Sequence, residues 1–367
     1  MQRLGRRDFL KGCAAIGGAA AGSFTCVGVS QAAALAVPTV DKLAIRVLID
    51  SSYDIFFRPG QANGVSVAPP PRPQSYRQSL HNQWGLSLFV ESQRAGEART
   101  IMLDFGYTPE ALINNIGYTR VDPTKINALV VSHGHFDHYG GLHGFLDKYR
   151  SVLPDDLKLY AGGEDNFCRR YSGRLDQLTE FGVLDRRDLT AQRVAVVLAE
   201  HPTIVADHAF TTGKIKRSSI EKVLPNTMVE FAMKDGVGCE AAHYLPAEMV
   251  GKIVADEHIH EHATCFNVKN RGLVVISSCG HVGIVNSVRQ AQEVSGVAKV
   301  HAIMGGFHLG PAPADYLEQV VAEIRKLEPD AVIPMHCSGN NFIQEARRQM
   351  PDKVLVSTTG CGVTIGA

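Results

Sequence analysis

A short stretch of the sequence, residues 133–138, carries the side chains best suited to chemistry. It reads His-Gly-His-Phe-Asp-His, so imidazoles and a carboxylate are packed closely together. The apolar run before it, residues 128–131, predicts a buried strand, and Gly140 after it predicts a turn. Imidazole nitrogens and a carboxylate at a strand end suit zinc or iron, whereas calcium prefers all-oxygen sites. The stretch therefore predicts a transition-metal site.

The spacing inside this stretch favours convergence of its polar side chains. His133 and His135 lie two residues apart at the strand end, so both can face the same side. Asp137 and His138 follow as the chain turns, and they can reach the same space from another direction. We expect these four side chains to be metal ligands.

Two later apolar runs also end in histidine. Residues 272–276 lead to Cys279 and His281, and residues 330–335 lead directly to His336. Each run predicts a strand, and each histidine repeats the strand-end position of the first stretch. We expect His281 and His336 to be metal ligands as well.

A third run, residues 300–306, predicts a strand that ends before His308. We expect His308 to bind substrate or to donate a proton rather than to bind metal. The roles of two cysteines near these strand ends stay open. Cys279 is either a soft ligand or a small buried residue, and Cys337 is either a small buried residue or a reactive thiol.

Strands and helices must alternate to position these strand ends. Further strands are predicted at residues 43–50, 84–91, 100–104, 157–161 and 353–357, the last an outer strand followed by a Gly-rich turn at 358–366. Helices are predicted at residues 108–116, 142–149 and 315–327.

Two long segments lack this periodicity. Residues 58–83 are rich in Pro, Gly, Ser and Asn and predict a long surface loop without a regular element. Residues 162–260 carry no strong signature. We expect them to supply strands of a second sheet and an insertion that covers the site.

Three histidines near the end of that segment alternate with other residues. On a strand, His258, His260 and His262 would share one face and could bind metal. No cysteine or carboxylate completes a site with them. We therefore favour a solvated edge or a substrate-facing loop.

The pattern His-x-His-x-Asp-His resembles the metallo-β-lactamase superfamily. Gly140-Gly141-Leu142 after it is similar to the branch typified by 7,8-dihydropterin-6-methyl-4-(β-D-ribofuranosyl)aminobenzene-5'-phosphate synthase-like proteins. Further segments resemble the branch in the same order, at residues 85–91, 104–106, 211–215, 279–284, 305–309 and 334–339. Trp84 stands where members often carry histidine. The resemblance implies an α/β four-layer αββα sandwich over residues 38–367, with its metal site along one edge of the two sheets.

The resemblance also implies a metal-dependent hydrolase with one or two zinc ions, for which iron or manganese are alternatives. Bound hydroxide, formed because such ions lower the pKa of water to about 7, would attack a phosphoester, ester or lactone of a small molecule. Asp137 would also orient this hydroxide, and Asp104 would support the metal-binding loop. The implied ligands are His133 and His135 for the first ion, Asp137 and His138 for the second, and His281 and His336 to complete the shells.

Part of the superfamily's usual ligand set is not placed by the sequence. Members usually have a further histidine and a bridging acid between the second motif and the last. Two other functions fit the same residues. One is an iron-dependent oxidoreductase or dioxygenase on the same fold, and the other is a non-catalytic protein that binds a metal or a pterin-like ligand.

Composition narrows the classes of partner. The chain has 367 residues with 37 basic and 37 acidic side chains, so bulk charge favours neither nucleic acid nor an anionic membrane. Its eight cysteines include no Cys-x-x-Cys pair, which argues against a zinc ribbon or a thioredoxin-like centre. We expect a small-molecule substrate, no nucleic-acid partner and no stable membrane span.

Residues 1–37 are predicted to be a signal peptide. Arg6-Arg7 with the residues around them resembles the twin-arginine export motif, and a soft Ala/Gly-rich run and small residues at a cleavage site follow. The predicted partner is the twin-arginine export machinery, which carries folded proteins. The predicted location is the periplasm or the medium. Removal of the segment would leave six cysteines, whose pairing the spacing does not settle.

Overall fold

A computed structural model describes residues 35–366, so the predicted signal peptide lies outside them except for its last three residues. In chain order the helices are α1 (Pro109–Thr119), α2 (Phe136–Tyr139), α3 (Leu142–Tyr149), α4 (Arg186–Ala191), α5 (Ile284–Ser295), α6 (Ala314–Lys326) and α7 (Asn340–Gln349). The first strands are β1 (Thr39–Val40), β2 (Lys42–Ile49), β3 (Gly60–Ala62), β4 (Val65–Ala68), β5 (Ser87–Arg94), β6 (Glu97–Leu103), β7 (Ile126–Val131), β8 (Lys158–Ala161), β9 (Arg169–Arg174), β10 (Gln177–Gly182) and β11 (Ala195–Leu198). The later strands are β12 (Ile204–Val205), β13 (Ala209–Thr211), β14 (Met228–Glu230), β15 (Met233–Lys234), β16 (Val237–Gly238), β17 (Ile253–Ala255), β18 (Thr264–Val268), β19 (Gly272–Ser277), β20 (Val300–Gly306), β21 (Ala331–Met335) and β22 (Gly362–Ile365).

Nine strands form the sheet that carries residues 133–138. Their order is β11-β8-β7-β6-β5-β2-β22-β4-β3. Strands β6, β7, β8 and β11 run parallel to their neighbours in that group, and the other neighbouring pairs are antiparallel. The run in β7 is apolar and almost wholly buried because a parallel strand inside a sandwich is covered on both faces. The predicted metal-binding stretch follows the C-terminal end of β7.

A second sheet carries the later histidines. It has seven strands in the order β12-β13-β18-β19-β20-β21, with β1 beside β18. Strands β19, β20 and β21 run parallel, so their C-terminal ends lie at the same edge. His281, His308 and His336 follow these three ends in turn.

The two sheets pack face to face over one apolar layer. Ile101 and Leu103 of β6 and Val130 of β7 meet Ile276 of β19 and Met304 of β20 in this layer. Alternate residues of the same strands point to the opposite faces, as the pleat requires. Each fully buried aliphatic side chain stabilises the fold by about 1.5–3 kcal/mol relative to exposure.

Helices cover both outer faces. Helices α1 and α3 pack on the nine-stranded sheet, where Leu112 and Phe145 contact the layer that includes Met102. Helices α5, α6 and α7 cover the second sheet, with Val288 and Val320 among the packed side chains. The predicted αββα sandwich is confirmed. None of the helices in the described part of the chain has both the length and the apolar character needed to span a membrane.

A smaller sheet lies within residues 162–260. Its strand order is β10-β9-β14-β17, and all its neighbours are antiparallel. A disulfide between Cys168 and Cys239 joins two parts of this segment that are 71 residues apart in sequence. We call residues 162–260 the covering segment.

Three elements differ from the sequence predictions. Residues 58–83, predicted to have no regular element, contain the hairpin β3–β4 at the sheet edge. The predicted strand at residues 353–357 is only a bridge between Val332 and Val354. The chain's last strand, β22, is not a peripheral turn but lies inside the nine-stranded sheet between β2 and β4.

Candidate metal centre

Four buried histidines form one compact group at the strand ends. His133 and His135 follow β7, His281 follows β19, and His258 belongs to the covering segment. One ring nitrogen of each lies within 4.8 Å of one from every other. The ring centroids of His133 and His135 are 4.7 Å apart, and those of His133 and His281 are 4.9 Å apart. We call these four residues the first ligand group.

Several ring nitrogens of this group have no hydrogen-bond partner among the protein atoms described. They are Nε2 of His133, Nδ1 of His258 and both nitrogens of His281. The other nitrogen of His133 is engaged, since Nδ1 lies 3.0 Å from the hydroxyl of Ser132. A buried polar atom left without a partner costs about 1–3 kcal/mol. A transition-metal ion fits this donor set because it would bind several such nitrogens at once.

A second group lies beside the first. Asp137, His138 and His336 also place their ligand atoms within 4.8 Å of one another. Oδ2 of Asp137 is 3.6 Å from Nε2 of His138 and 3.3 Å from Nε2 of His336. Neither of these two nitrogens donates or accepts a hydrogen bond within the described part of the chain. We call these three residues the second ligand group.

Asp104, at the end of β6, holds the loop between the two groups. Its carboxylate accepts hydrogen bonds from the backbone N–H of Ser132 at 2.8 Å and from the Ser132 hydroxyl at 2.7 Å. It also lies 2.7 Å from Nδ1 of His138, which leaves Nε2 of that ring free for an ion. Carboxylates in this position fix the tautomer and the orientation of a ligating histidine. The contacts agree with the supporting role expected for Asp104.

His336 is fixed by the end of β2 and by a close backbone approach. The carboxylate of Asp50 accepts a hydrogen bond from the His336 backbone N–H at 2.7 Å, and the Ser51 hydroxyl lies 3.0 Å from Nδ1. The backbone N–H of Gly85 donates to the same nitrogen at 3.3 Å. Gly85 has φ +131°, and a Cβ there would lie 2.3 Å from the carbonyl oxygen of Asp137. Only glycine fits this position.

The first ligand group is electrically neutral at neutral pH. Burial, followed by the neighbouring histidines, lowers the pKa of His133, His135 and His281 well below the ordinary value. Burial also lowers the pKa of His258 to about 3. Neutral imidazole is the form that binds a metal ion, so these rings are already in the binding state.

The second ligand group holds charge. Burial raises the pKa of Asp137, but His138 and His336 lower it below the ordinary value overall. Burial lowers the pKa of His138, but the carboxylates of Asp137 and Asp104 raise it by more. Burial likewise lowers the pKa of His336, yet Cys337 and Asp137 together raise it to about 10. A cation bound here would therefore displace protons from the two rings.

The covering segment supplies a candidate ligand that the sequence reasoning missed. His258, His260 and His262 are all buried, so the predicted solvated edge is wrong. They do not lie on a strand, and they do not share a face, because the backbone turns at His258, where φ is 48°. His258 joins the first ligand group, while Nδ1 of His260 accepts from the Asp165 backbone N–H and Nε2 of His262 lies 3.0 Å from the Val131 carbonyl oxygen.

A buried arginine ties the covering segment to the loop beneath the metal centre. Arg170 donates to Asp256 at 2.6 Å and to Asp165 at 2.9 Å. Asp256 in turn accepts from the backbone N–H of His258 at 2.9 Å. A Cβ at Gly134 would lie 2.1 Å from Nη1 of Arg170, so the glycine inside the motif makes room for this ion pair. The network positions His258 on one side and the 133–138 loop on the other.

His308 and two thiols lie beside the first ligand group. The ring centroids of His308 and His281 are 4.0 Å apart, and Nε2 of His308 has no hydrogen-bond partner among the described atoms. The Sγ atoms of Cys279 and Cys337 are 3.1 Å apart. The structure thus brings all seven predicted site residues into one region, with His308 next to His281 rather than within either ligand group.

A cavity of about 430 Å³ opens beside His336. Its polar lining includes Asp50, Ser51, Asn340 and Thr358. Its apolar lining includes the side chains of Phe57 and Ile343. The indole of Trp84 is 55% exposed, and its ring centroid lies 4.8 Å from that of His336. A cavity with polar lining and an exposed aromatic ring thus both lie beside His336.

Comparison with known proteins identifies the fold. A family model described as the metallo-β-lactamase superfamily matches residues 85–154, which include the 133–138 stretch. A solved structure described as a metal-dependent hydrolase of the β-lactamase superfamily superimposes with a TM-score of 0.62 at 20% identity, over 87% of this chain and 98% of that one. The chain thus has the metallo-β-lactamase fold.

Two proteins of Methanocaldococcus jannaschii are similar in sequence. One is named 7,8-dihydropterin-6-methyl-4-(β-D-ribofuranosyl)-aminobenzene-5'-phosphate synthase; it is 26% identical over 279 residues, which cover 74% of this chain and 87% of the relative. The other is named an uncharacterized protein; it is 26% identical over 279 residues, which cover 71% of this chain and 90% of the relative.

Proposed function

We propose that this protein is a metal-dependent hydrolase that acts on a small molecule with a phosphoester, ester or lactone bond. One observation carries the proposal. Two groups of buried ligand-type side chains lie side by side, and at least one ring nitrogen lacks a protein partner in each of His133, His138, His258, His281 and His336. This arrangement suits two metal ions that share one reaction space.

The chain's own residues have distinct roles in this proposal. The two ligand groups would hold one or two divalent ions, which when bound would supply a coordinated water with a pKa of about 7 and a Lewis acid for the substrate oxygen. Asp137 keeps its carboxylate ionised, since its pKa is lowered overall, and can orient the attacking water by accepting its hydrogen. His308, with an unpartnered Nε2 beside His281, can donate a proton to the leaving group.

The substrate enters through the cavity beside His336. At about 430 Å³ the cavity suits a small molecule, and its hydroxyl and carboxylate lining can orient polar groups. Trp84, whose exposed ring lies beside His336, can pack against a planar or apolar part of that molecule. One similar protein is named as a synthase, so the type of bond that this chain acts on has to be tested directly.

The first test is metal content together with turnover. We expect purified protein to retain zinc, or iron in its place, and to hydrolyse at least one member of a panel of phosphodiesters, phosphomonoesters, esters and lactones. His135→Ala should abolish that turnover, whereas His143→Ala, which changes a half-exposed histidine on α3, should not. Protein that retains no transition metal would refute the proposed metal centre. Fully metal-loaded protein without turnover would refute the hydrolase.

We also propose that the mature protein acts outside the cytoplasm. The twin-arginine-like stretch at the N-terminus supports export of a folded chain. The Cys168–Cys239 disulfide supports the same location, because disulfides persist in oxidising compartments. Export in the folded state would let the metal centre assemble before the protein leaves.

A further inference from the structure

We infer that Sγ of Cys279 is a metal ligand shared by the two ligand groups, placed where a bridging carboxylate would otherwise lie. The inference rests on the proposed metal centre and specifies its chemistry. Cys279 is buried and follows β19, two residues before His281. A thiolate at this point would join the two ions into one unit.

The position of Cys279 between the groups carries the inference. Its Sγ lies within 4.8 Å of ligand atoms of His133 and His138, which also lie that close to each other. It belongs to a second such set with His281 and His308, and to a third with His336 and Cys337. Cys279 therefore approaches two members of the first ligand group and two members of the second.

No carboxylate in the described part of the chain takes this position within the same distance limit. Asp137 joins only the second ligand group. Asp256 is occupied by Arg170 and by the backbone N–H of His258. Glu261 accepts the backbone N–H groups of His281 and Val282. The ligand-type atom between the two groups is thus Sγ of Cys279.

The neighbouring thiol has a different role. Sγ of Cys337 accepts a hydrogen bond from the His308 backbone N–H at 3.2 Å and donates to the Cys279 carbonyl oxygen at 3.5 Å. Sγ of Cys279 has no backbone partner; its contacts are Cys337 and, at 3.7 Å, Nδ1 of His308. Cys337 is therefore fixed by the backbone, while Cys279 is free to turn toward an ion.

A sulfur ligand changes which metals the site prefers. Coordination replaces the thiol S–H bond with a metal–sulfur bond, and the proton leaves to solvent. Thiolate favours zinc, iron and cobalt, whereas manganese and magnesium prefer oxygen. We expect manganese to bind at least about tenfold more weakly than zinc for this reason.

Cobalt substitution tests the ligand without relying on activity. Metal-free protein reloaded with Co²⁺ should show an intense thiolate-to-cobalt charge-transfer band in the near ultraviolet. Cys279→Ser should lose this band, while Cys337→Ser and Cys265→Ser should keep it. X-ray absorption of the wild-type zinc protein gives a second readout that needs no variant: a sulfur neighbour at about 2.3 Å is expected.

The outcomes separate this inference from the proposed function. Bound cobalt without a charge-transfer band, together with zinc lacking a sulfur neighbour, overturns the sulfur ligand and leaves the hydrolase intact. Loss of the band in Cys337→Ser but not in Cys279→Ser would show that Cys337, and not Cys279, is the metal ligand. A non-reduced mass lower by two hydrogens, mapped to a Cys279–Cys337 disulfide, also overturns it. Failure to bind any metal overturns both proposals.

Discussion

The rings of His258 and His281 stack face to face, with centroids 3.8 Å apart and an interplanar angle of 10°. One residue belongs to the covering segment and the other to the end of β19, so the stack joins the insertion to the sandwich. Both rings have lowered pKa values and are neutral, which permits this close contact. The covering segment thus contributes a candidate ligand of its own.

Removal of the His258 ring should therefore lower the metal content of the first ligand group more than that of the second. We expect His258→Ala to reduce metal bound at the first ligand group while the second group, which does not include it, keeps its ion. The measurement is metal stoichiometry after dialysis against a weak chelator, with His143→Ala as the matched control. Full stoichiometry in His258→Ala would show that the ring only packs against His281.

Asp104→Asn should weaken metal binding without removing any ligand. The carboxylate accepts on both oxygens, from the Ser132 backbone N–H on one and from the Ser132 hydroxyl and Nδ1 of His138 on the other. An amide has only one acceptor oxygen, so its NH2 group must face one of these donors and the hold on the His138 ring weakens. We expect metal affinity to fall by about 10- to 100-fold, measured by competition with a chromophoric chelator. Asp122→Asn, at an exposed aspartate, serves as the control. Equal affinity in the two variants would contradict the supporting role.

Glu164 should make the stability of the covering segment depend on pH. Burial raises its pKa, but Arg186 and the backbone N–H of Glu240 lower it below the unfolded value overall. The ionised form therefore stabilises the folded state above about pH 4.5, and this contribution is lost as the pH falls through the folded-state pKa.

Glu164→Gln tests that dependence. We expect a cost of about 1–2 kcal/mol in the free energy of unfolding near pH 7, because a partly exposed charged pair is lost. The difference from wild type should shrink as the pH falls below about 4.5. Denaturant titrations over this range measure it, with the exposed Glu248→Gln as control. A difference that grows toward low pH would reverse the assigned sign.

The disulfide should stabilise the covering segment. The disulfide closes a long loop and so lowers the conformational entropy of the unfolded chain. This effect typically contributes about 2–4 kcal/mol to the free energy of unfolding. We expect the double variant Cys168→Ala, Cys239→Ala to unfold at a lower temperature, while Cys361→Ala, which removes a buried free thiol, shifts much less. Non-reducing peptide mapping should recover the linked pair. Recovery of both cysteines as free thiols would contradict the pairing.

Export can be tested on the N-terminal arginines. Replacing Arg6 and Arg7 by lysine together should trap the precursor in the cytoplasm, because the twin-arginine machinery recognises the pair. Fractionation and immunoblotting of cells that express the two forms give the result. The paired control is Arg3→Lys, outside the motif. Unchanged export of the double variant would contradict export through the twin-arginine machinery.

The strand ends that carry His133, His281 and His336 could be predicted from sequence. Each follows an apolar run that is buried on both faces. The run predicts a buried strand, and the polar residue after it predicts where that strand ends at the edge of the sheet. His258 could not be found in this way. Its alternation with two other histidines, without a cysteine or carboxylate to complete a site, favours a solvated edge or a substrate-facing loop. In the structure the chain there is irregular but buried, and the three rings contact different partners.

One missed element did carry a local signal. The hairpin β3–β4 turns at Asn63-Gly64, where both residues have positive φ, and Asn-Gly between two short runs is a strong hairpin signal. The position of β22 had no such signal. A strand's neighbours depend on pairing between residues far apart in sequence, and the short run 362–365 does not encode them.

That position has a consequence for how the protein is made. Because β22 lies between β2 and β4, the nine-stranded sheet remains split until Gly362–Ile365 has left the ribosome. The strand also follows Cys361, whose backbone carbonyl oxygen accepts from the N–H of Val47 just before Asp50 and Ser51, the residues that hold His336. Co-translational folding can therefore build the helices and the covering segment early, but the nine-stranded sheet beside the candidate metal centre closes only after β22 has emerged. Deletion of β22 would leave β2 and β4 each unpaired on one side and would disturb the residues after β2 that hold His336, although they lie far away in sequence.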